Sequence, residues 1–248
     1  MKLLVDVGNS RIKWAFLEKG TLGQFGDVTH DGYKLDDVLA AAWHTVPKPS
    51  AVMVSNVAGP MANHIINELA RNLFDVAPAY AVSSAQAAGV TSGYRDPARL
   101  GVDRWLALIG AFNRHSAPAC VIDCGTAITI DAIAQDGRHL GGVIAPGVQL
   151  MRHALVGATA GISDEPGEVT TDVFARDTRS AVAGGAINAA IGLIERVSAR
   201  MQKELGDKAR RFITGGDAER LLPYLGQRYK LVPNLVLEGL AVLAERQS

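Results

Sequence analysis

The sequence predicts an α/β protein made of two similar halves, and three observations predict it. An Asp-x-Gly turn set between two apolar strands occurs twice, as Asp6-Val7-Gly8-Asn9-Ser10 near the start and as Asp123-Cys124-Gly125-Thr126-Ala127 near the middle. Each turn opens a run of three strands. After each run, helical and strand patterns alternate to the end of the half.

The elements follow in order. In the first copy Leu3-Leu4-Val5 enters the turn, and Ile12, Trp14 and Phe16 leave it in alternation with Lys13 and Ala15; in the second, Cys120-Val121-Ile122 enters and Ile128, Ile130 and Ala132 leave. Glu18-Lys19-Gly20 then turns the chain into a third strand over Thr21 to Phe25, and Gln135-Asp136-Gly137 does the same before Arg138 to Ile144. Between the two meanders, apolar spacing predicts a helix over Tyr33 to Trp43, a strand over Ala51 to Ser55, a helix over Gly59 to Phe74 and a strand over Ala79 to Val82. A helix over Leu100 to His115 follows, carrying Trp105, Leu108, Ile109 and Phe112 on one stripe. The second half predicts a long helix over Arg179 to Leu205, a strand over Arg211 to Thr214 stopped by Gly215-Gly216, and a helix over Ala218 to Leu225. A strand over Tyr229 to Val232 and a helix over Leu235 to Glu245 close it. On this order the halves divide at 1–115 and 116–248.

Composition suits an enzyme-sized soluble protein. At 248 residues and 48% hydrophobic the chain can bury a large core, as one large domain or two small ones. Lys+Arg and Asp+Glu are equal at 25 each, so no global field draws the chain to DNA, RNA or an anionic membrane. Asp6 interrupts the apolar start after three residues, and no stretch approaches the ~20 apolar residues of a membrane span; the cytoplasm is the expected compartment. Cys120 and Cys124 lie on one strand, roughly 13 Å apart at ~3.3 Å per residue, beyond disulfide reach. They read as buried packing residues, with a redox role beside Asp123 as the alternative. The six histidines are scattered without zinc-binding spacing.

The turns carry the chemistry. Glycine at the bend removes the Cβ, so main-chain N–H groups and small polar side chains can approach an anion, while the aspartate at the strand end can orient a hydrated cation. Two such hairpins suit a polyphosphate. The repeated meander points to the duplicated actin-like ATPase fold of acetate and sugar kinases, Hsp70 and actin, in which nucleotide binds between two lobes. A Rossmann reading fits worse, because no G-x-G-x-x-G follows the first strand and no G-x-x-x-x-G-K-[ST] occurs.

Three more clusters complete a pattern: Gly101-Val102-Asp103-Arg104, Gly141-Gly142-Val143-Ile144-Ala145-Pro146-Gly147, and Ile213-Thr214-Gly215-Gly216-Asp217. With the two turns, they closely resemble the type III pantothenate kinases of bacterial coenzyme A synthesis, a family that also includes the Bvg accessory factor proteins. The resemblance runs from Asp6 to Gly216. It implies transfer of the γ-phosphoryl of ATP, with Mg²⁺, to pantothenate, giving 4′-phosphopantothenate.

The resemblance also implies site roles. Asp6, Val7, Gly8, Asn9, Ser10, Arg11, Ile12 and Lys13 would bind the ATP phosphates, with Asp6 holding Mg²⁺ through water. Ser10 stands where many relatives carry threonine and keeps the hydroxyl. Thr126 would make a second phosphate contact, and Asp123 would bind a monovalent cation, K⁺ or NH₄⁺. Gly101, Val102, Asp103, Arg104, Tyr94 and Thr178 would form the pantothenate site. In it Asp103 acts as general base, and Arg104 binds the carboxylate or supports Asp103. Gly215 and Gly216 would lie against adenosine. A homodimer whose subunits share the substrate site is implied as well.

Each role has a plainer alternative. Asp103 and Thr178 suit helix N-caps, Lys13 a solvated strand position and Arg104 a salt bridge beside a helix start. Asp123 could instead anchor a second Mg²⁺ or brace its hairpin, Gly215-Gly216 could simply end a strand, and the apolar residues from Ser180 to Val197 suit a core as well as an interface. At the level of function, a regulatory protein without catalysis and a kinase for another small alcohol or sugar are the competing readings. The retained acidic residues favour chemistry over the first, and the Gly-x-Asp-Arg cluster with Tyr94 disfavours the second. Even charge and the lack of a helix-turn-helix argue against DNA binding.

Overall fold

The computed structural model describes residues 1–30, 35–163 and 171–246. In chain order its elements are β1 (Lys2–Val7), β2 (Arg11–Glu18), β3 (Thr21–Thr29), α1 (Leu35–Trp43), β4 (Ala51–Asn56), α2 (Pro60–Phe74), β5 (Ala79–Tyr80), β6 (Gln86–Ala87), β7 (Val90–Thr91) and α3 (Val102–His115). They continue with β8 (Ala119–Cys124), β9 (Ala127–Ile133), β10 (His139–Pro146), α4 (Val148–Ala158), α5 (Thr178–Leu205), β11 (Arg210–Thr214), α6 (Ala218–Leu221), β12 (Tyr229–Leu231) and α7 (Leu235–Arg246). The expected start of α1 at Tyr33 lies outside the described residues.

The chain forms two compact units, one of Met1–Ser116, Gly137–His139 and Asn234–Ser248, the other of Ala117–Asp136 and Leu140–Pro233. The last helix, assigned with 116–248 by its place in the chain, therefore packs with the first unit. In that unit the strand order is β3-β2-β1-β4-β5, with β1 antiparallel to β2 and parallel to β4. Period-two alternation sends Leu3, Val5, Val7, Ile12, Trp14 and Phe16 to one face, where they pack on α1 and α2 through Leu39, Trp43, Ile66 and Phe74. Trp43 meets Trp14 edge-on, with ring centroids 6.5 Å apart.

The opposite face takes α3 and α7. Lys2 Nζ donates to the Ala244 carbonyl at 2.6 Å, and Arg114 Nη1 reaches both carboxylate oxygens of Glu238 at 2.7 Å. Two glycines let these helices meet backbone to backbone: a Cβ on Gly110 would sit 2.5 Å from the Leu235 carbonyl oxygen, and one on Gly239 would overlap the Leu106 carbonyl. This close approach, with Trp105, Leu106, Leu108 and Ile109 fully buried beside it, is why α7 belongs here despite its position in the sequence.

The second unit repeats the sheet, in the order β10-β9-β8-β11-β12. Cys120, Ile122, Cys124, Ile128, Ile130 and Ile213 form its core with Ile187, Ala190 and Ile194 of α5 and Leu221 of α6. Three elements depart from sequence expectation. Helix α4 has no counterpart there, although Val148, Met151 and Leu155 stand at helical spacing; Val148 is buried and Met151 packs on the core, while Leu150 and Leu155 stay exposed. The small β6–β7 hairpin turns on Ala88 (φ 53) and Gly89 (φ 83), the left-handed pair of a type I′ turn, without the usual Asn-Gly signal. Helix α6 ends at Leu221 and continues as a 3₁₀ turn over Leu222–Tyr224, since Pro223 has no N–H to donate. Among the described residues no helix is long and apolar enough to cross a membrane.

Candidate active site

The first turn is a tight hairpin held from behind. Gly8 N donates to the Arg11 carbonyl at 3.0 Å, and His30 secures the bend twice: its backbone N–H donates to the Ser10 carbonyl at 3.0 Å and its Nε2 lies 3.0 Å from the Gly8 carbonyl. A carbonyl only accepts, so Nε2 carries the proton. The planar trans peptide then turns the Asn9 N–H away from His30, where Asn9, Ser10 and Arg11 are exposed. Asp6 stands directly opposite Lys13 on β2 and beside Ser55 on β4, so all three side chains share the face opposite to the α1 and α2 packing. Val7 and Ile12 point into the core, which leaves only their main chain for a ligand. Arg11 Nε lies 3.5 Å from Asp27 Oδ2 in an exposed ion pair.

The Gly101–Arg104 cluster opens α3. Gly101 is the N-cap and Asp103 the second helical residue, so Asp103 is not the cap that its sequence position suggests. Its Oδ1 accepts from Arg104 N at 2.8 Å, and a carboxylate is favoured there by the helix dipole. The Arg104 side chain is 6% exposed, and its Nη1 donates to the Tyr94 hydroxyl at 2.7 Å. The Tyr94 ring in turn stacks on His139, with centroids 5.9 Å apart and planes 18° apart. Nothing in the local sequence marks His139, because its ring partner Tyr94 lies far away along the chain.

In the second unit Asp123 stands opposite Thr129 on β9 and beside Thr214 on β11. Gly125 N donates to the Ala127 carbonyl at 3.0 Å, Gly147 N to the Thr126 carbonyl at 2.9 Å, and Asp217 N to the Cys124 carbonyl at 2.9 Å. Gly215 has a left-handed φ of 95° and runs so close to the hairpin that a Cβ would strike Asp123 Oδ1 and lie 2.5 Å from Cys124 backbone atoms. Asp123, Gly125, Thr126, Gly147 and Gly215 thus form one cluster.

Thr178 is exposed at the first residue of α5. The cap is Asp177, whose side chain accepts from Ser180 N at 2.9 Å; that hydrogen bond, with help from the Ser180 hydroxyl and Arg179, holds its carboxyl below the usual range. Cys120 and Cys124 are buried, as their packing role requires. Burial pushes the Cys120 thiol up to about 12 and raises that of Cys124 too, with Asp123 and Asp217 adding to the second. Burial thus disfavours the thiolate, the nucleophilic form, at both positions.

Among the described residues no group of three or more His, Cys, Asp or Glu could cage a metal. The carboxylate and hydroxyl donors around Asp6 and Asp123 are hard oxygens, fitting a Mg²⁺ or alkali cation whose shell is completed by water and phosphate.

A family model for type III pantothenate kinase matches residues 2–200. The chain belongs to the type III pantothenate kinase family. Among its relatives, the type III pantothenate kinase of Nitrosococcus oceani is 39% identical, covering 100% of this chain and 95% of that one. Those of Polaromonas sp. and Halorhodospira halophila are 36% and 39% identical, with 98% and 96% of their lengths covered. Among solved structures, a protein of Campylobacter jejuni described as a Baf family transcriptional activator matches with TM-score 0.60 at 22% identity, over 99% of this chain and 98% of that one. One of Sinorhizobium meliloti described as a 2-dehydro-3-deoxygalactonokinase matches with TM-score 0.58 at 15% identity, over 100% and 99%. At these identities the two structures speak for fold, and the fold is the duplicated actin-like α/β arrangement.

Proposed function

We infer that this chain transfers the γ-phosphoryl group of ATP to the primary hydroxyl of pantothenate, giving ADP and 4′-phosphopantothenate, the first step towards coenzyme A. The observation that carries the residue-level reading is at α3: Asp103 is spared from capping by Gly101 and lies beside a buried Arg104 tethered to Tyr94. As the hydroxyl oxygen bonds to the γ-phosphorus and the bridging oxygen leaves with ADP, the hydroxyl proton passes to Asp103. Position matters more than basicity for such a base. The pantothenate carboxylate is a fitting partner for the planar donor fork of the Arg104 guanidinium. Thr178 is a further substrate contact in this reading.

The bend of Gly8 with exposed Asn9 and Ser10, together with Lys13, holds the ATP phosphates, and Thr126 adds a hydroxyl; Gly215 and Gly216 lie against adenosine. Asp6 would hold Mg²⁺ through water, which would neutralise phosphate charge, and Asp123 would hold K⁺ or NH₄⁺. The working form is a cytoplasmic homodimer without nucleic-acid or membrane partners. Support for dimerisation comes from the exposed apolar residues Leu140 and Ile144 on edge strand β10, Leu150 and Leu155 on α4, and Phe174.

The test is ADP release from ATP, Mg²⁺ and pantothenate, with and without K⁺ or NH₄⁺, in wild type and Asp103→Asn. Pantothenate-dependent turnover that collapses by roughly 10²–10⁴-fold in the variant is expected. A folded wild type that binds ATP yet never turns over pantothenate would overturn the assignment.

A further inference from the structure

We propose that His139 is a positioning residue of the pantothenate site, acting through Tyr94 on Arg104. This rests on the kinase reading above and assigns a role to a residue outside every motif that supports it. His139 is 1% exposed, and its ring lies nearly parallel to Tyr94, 18° between planes with centroids 5.9 Å apart, an offset stack. Tyr94 occupies a turn-rich loop with little regular structure of its own, following β7 and preceding the 3₁₀ turn Pro97–Arg99.

The stack decides where the phenol oxygen goes. The Arg104 carbon Cζ lies over the Tyr94 ring, 5.5 Å from its centroid, while Nη1 donates to the hydroxyl at 2.7 Å, so the guanidinium follows both the ring and its oxygen. A tilt of the ring would therefore carry the hydroxyl away from Arg104, whose charge is buried and intolerant of a misplaced partner. His139 prevents that tilt. It is itself anchored next to the same loop: Thr91 N donates to the Gly137 carbonyl at 3.0 Å, and Thr91 bridges to Arg138 in parallel register. The order of transmission is thus His139 ring, Tyr94 ring, Tyr94 hydroxyl, Arg104 guanidinium, substrate carboxylate. An aromatic face is what the position requires, so phenylalanine replaces histidine and alanine does not.

The experiment is steady-state kinetics on wild type, His139→Ala and His139→Phe, with thermal unfolding of each. His139→Ala is expected to raise KM for pantothenate roughly three- to tenfold, the worth of one aromatic pair, while KM for ATP stays near wild type. His139→Phe recovers most of the loss. A residue that merely fills space would lower the melting temperature and disturb both substrates alike. An unchanged pantothenate KM in His139→Ala, equal losses for ATP and pantothenate, or a Phe variant as impaired as Ala overturns the inference while leaving the kinase assignment standing. A wild type without pantothenate-dependent turnover overturns both.

Discussion

Thr129 faces Asp123 across β8 and β9 in the place where Lys13 faces Asp6 across β1 and β2. On the other flank Thr214 and Ser55 correspond in the same way. The two rows, Lys13-Asp6-Ser55 and Thr129-Asp123-Thr214, each set a carboxylate beside a hydroxyl, and only the first carries a positive charge. The first row places its own cation, Lys13, beside the Gly8 hairpin. The second is made of a carboxylate between hydroxyls, a donor set suited to a bound monovalent ion.

Placing a lysine in the second row should replace the ion. Thr129→Lys is expected to abolish the rate response to added K⁺ or NH₄⁺, measured as ADP release against salt at constant ionic strength. A K⁺ activation curve identical to wild type would show that Asp123 does not hold the ion.

Lys13 separates a phosphate ligand from a solvated strand residue. A charge-assisted hydrogen bond contributes about 1.5–3 kcal/mol, so Lys13→Met should raise KM for ATP roughly 10- to 100-fold while KM for pantothenate changes little. Equal and small effects on both substrates would restore the solvated reading.

The crossing of α3 and α7 makes a stability prediction distant from chemistry. A methyl group on Gly239 overlaps the Leu106 carbonyl, backbone that no rotamer change can move. Gly239→Ala should lose about 1–3 kcal/mol of stability by urea titration, at an unchanged m-value. No shift in midpoint would show that the helices can part at small cost.

The buried thiols predict reactivity and pH dependence together. Burial raises Cys120 to about 12, outweighing the lowering by Arg211 and reinforced by Asp131; an unfolded thiol ionises near ~8.5. The native state therefore keeps the proton that the unfolded state releases, and this contribution is whole below about pH 8.5 and is lost as pH rises towards 12. Native protein at pH 8 should react with neither thiol of its two cysteines in a colorimetric thiol assay and with both in denaturant. Rapid labelling of the native protein would contradict the burial.

Much of the fold is local and was legible as such. Strands announce themselves by period-two alternation, the two turns by glycine after aspartate, and α3 and α5 by their apolar spacing; these signals need no partner elsewhere in the chain. The Gly101–Arg104 cluster is likewise a run of neighbours. The caps were not so legible: Asp103 and Thr178 both looked like N-caps, yet Gly101 and Asp177 hold those places, because a cap is set by where the backbone leaves helical geometry and not by residue type alone.

What the sequence determined by itself is the duplicated pair of hairpins, the order of elements and the family to which the motifs belong, since all of these are written in residues adjacent along the chain. Tertiary structure alone decided the register, the home of α7 and the partners of Tyr94. The second turn closes from Gly125 to Ala127 and the first from Gly8 to Arg11, so the shorter turn slides β9 and puts Thr129, not Ile130, across from Asp123. Helix α7 joins the first unit because Gly110 and Gly239 permit a backbone contact with a helix more than a hundred residues earlier. His139 reaches Tyr94 through strand pairing at Thr91, a contact between distant segments whose geometry is fixed only when the chain packs.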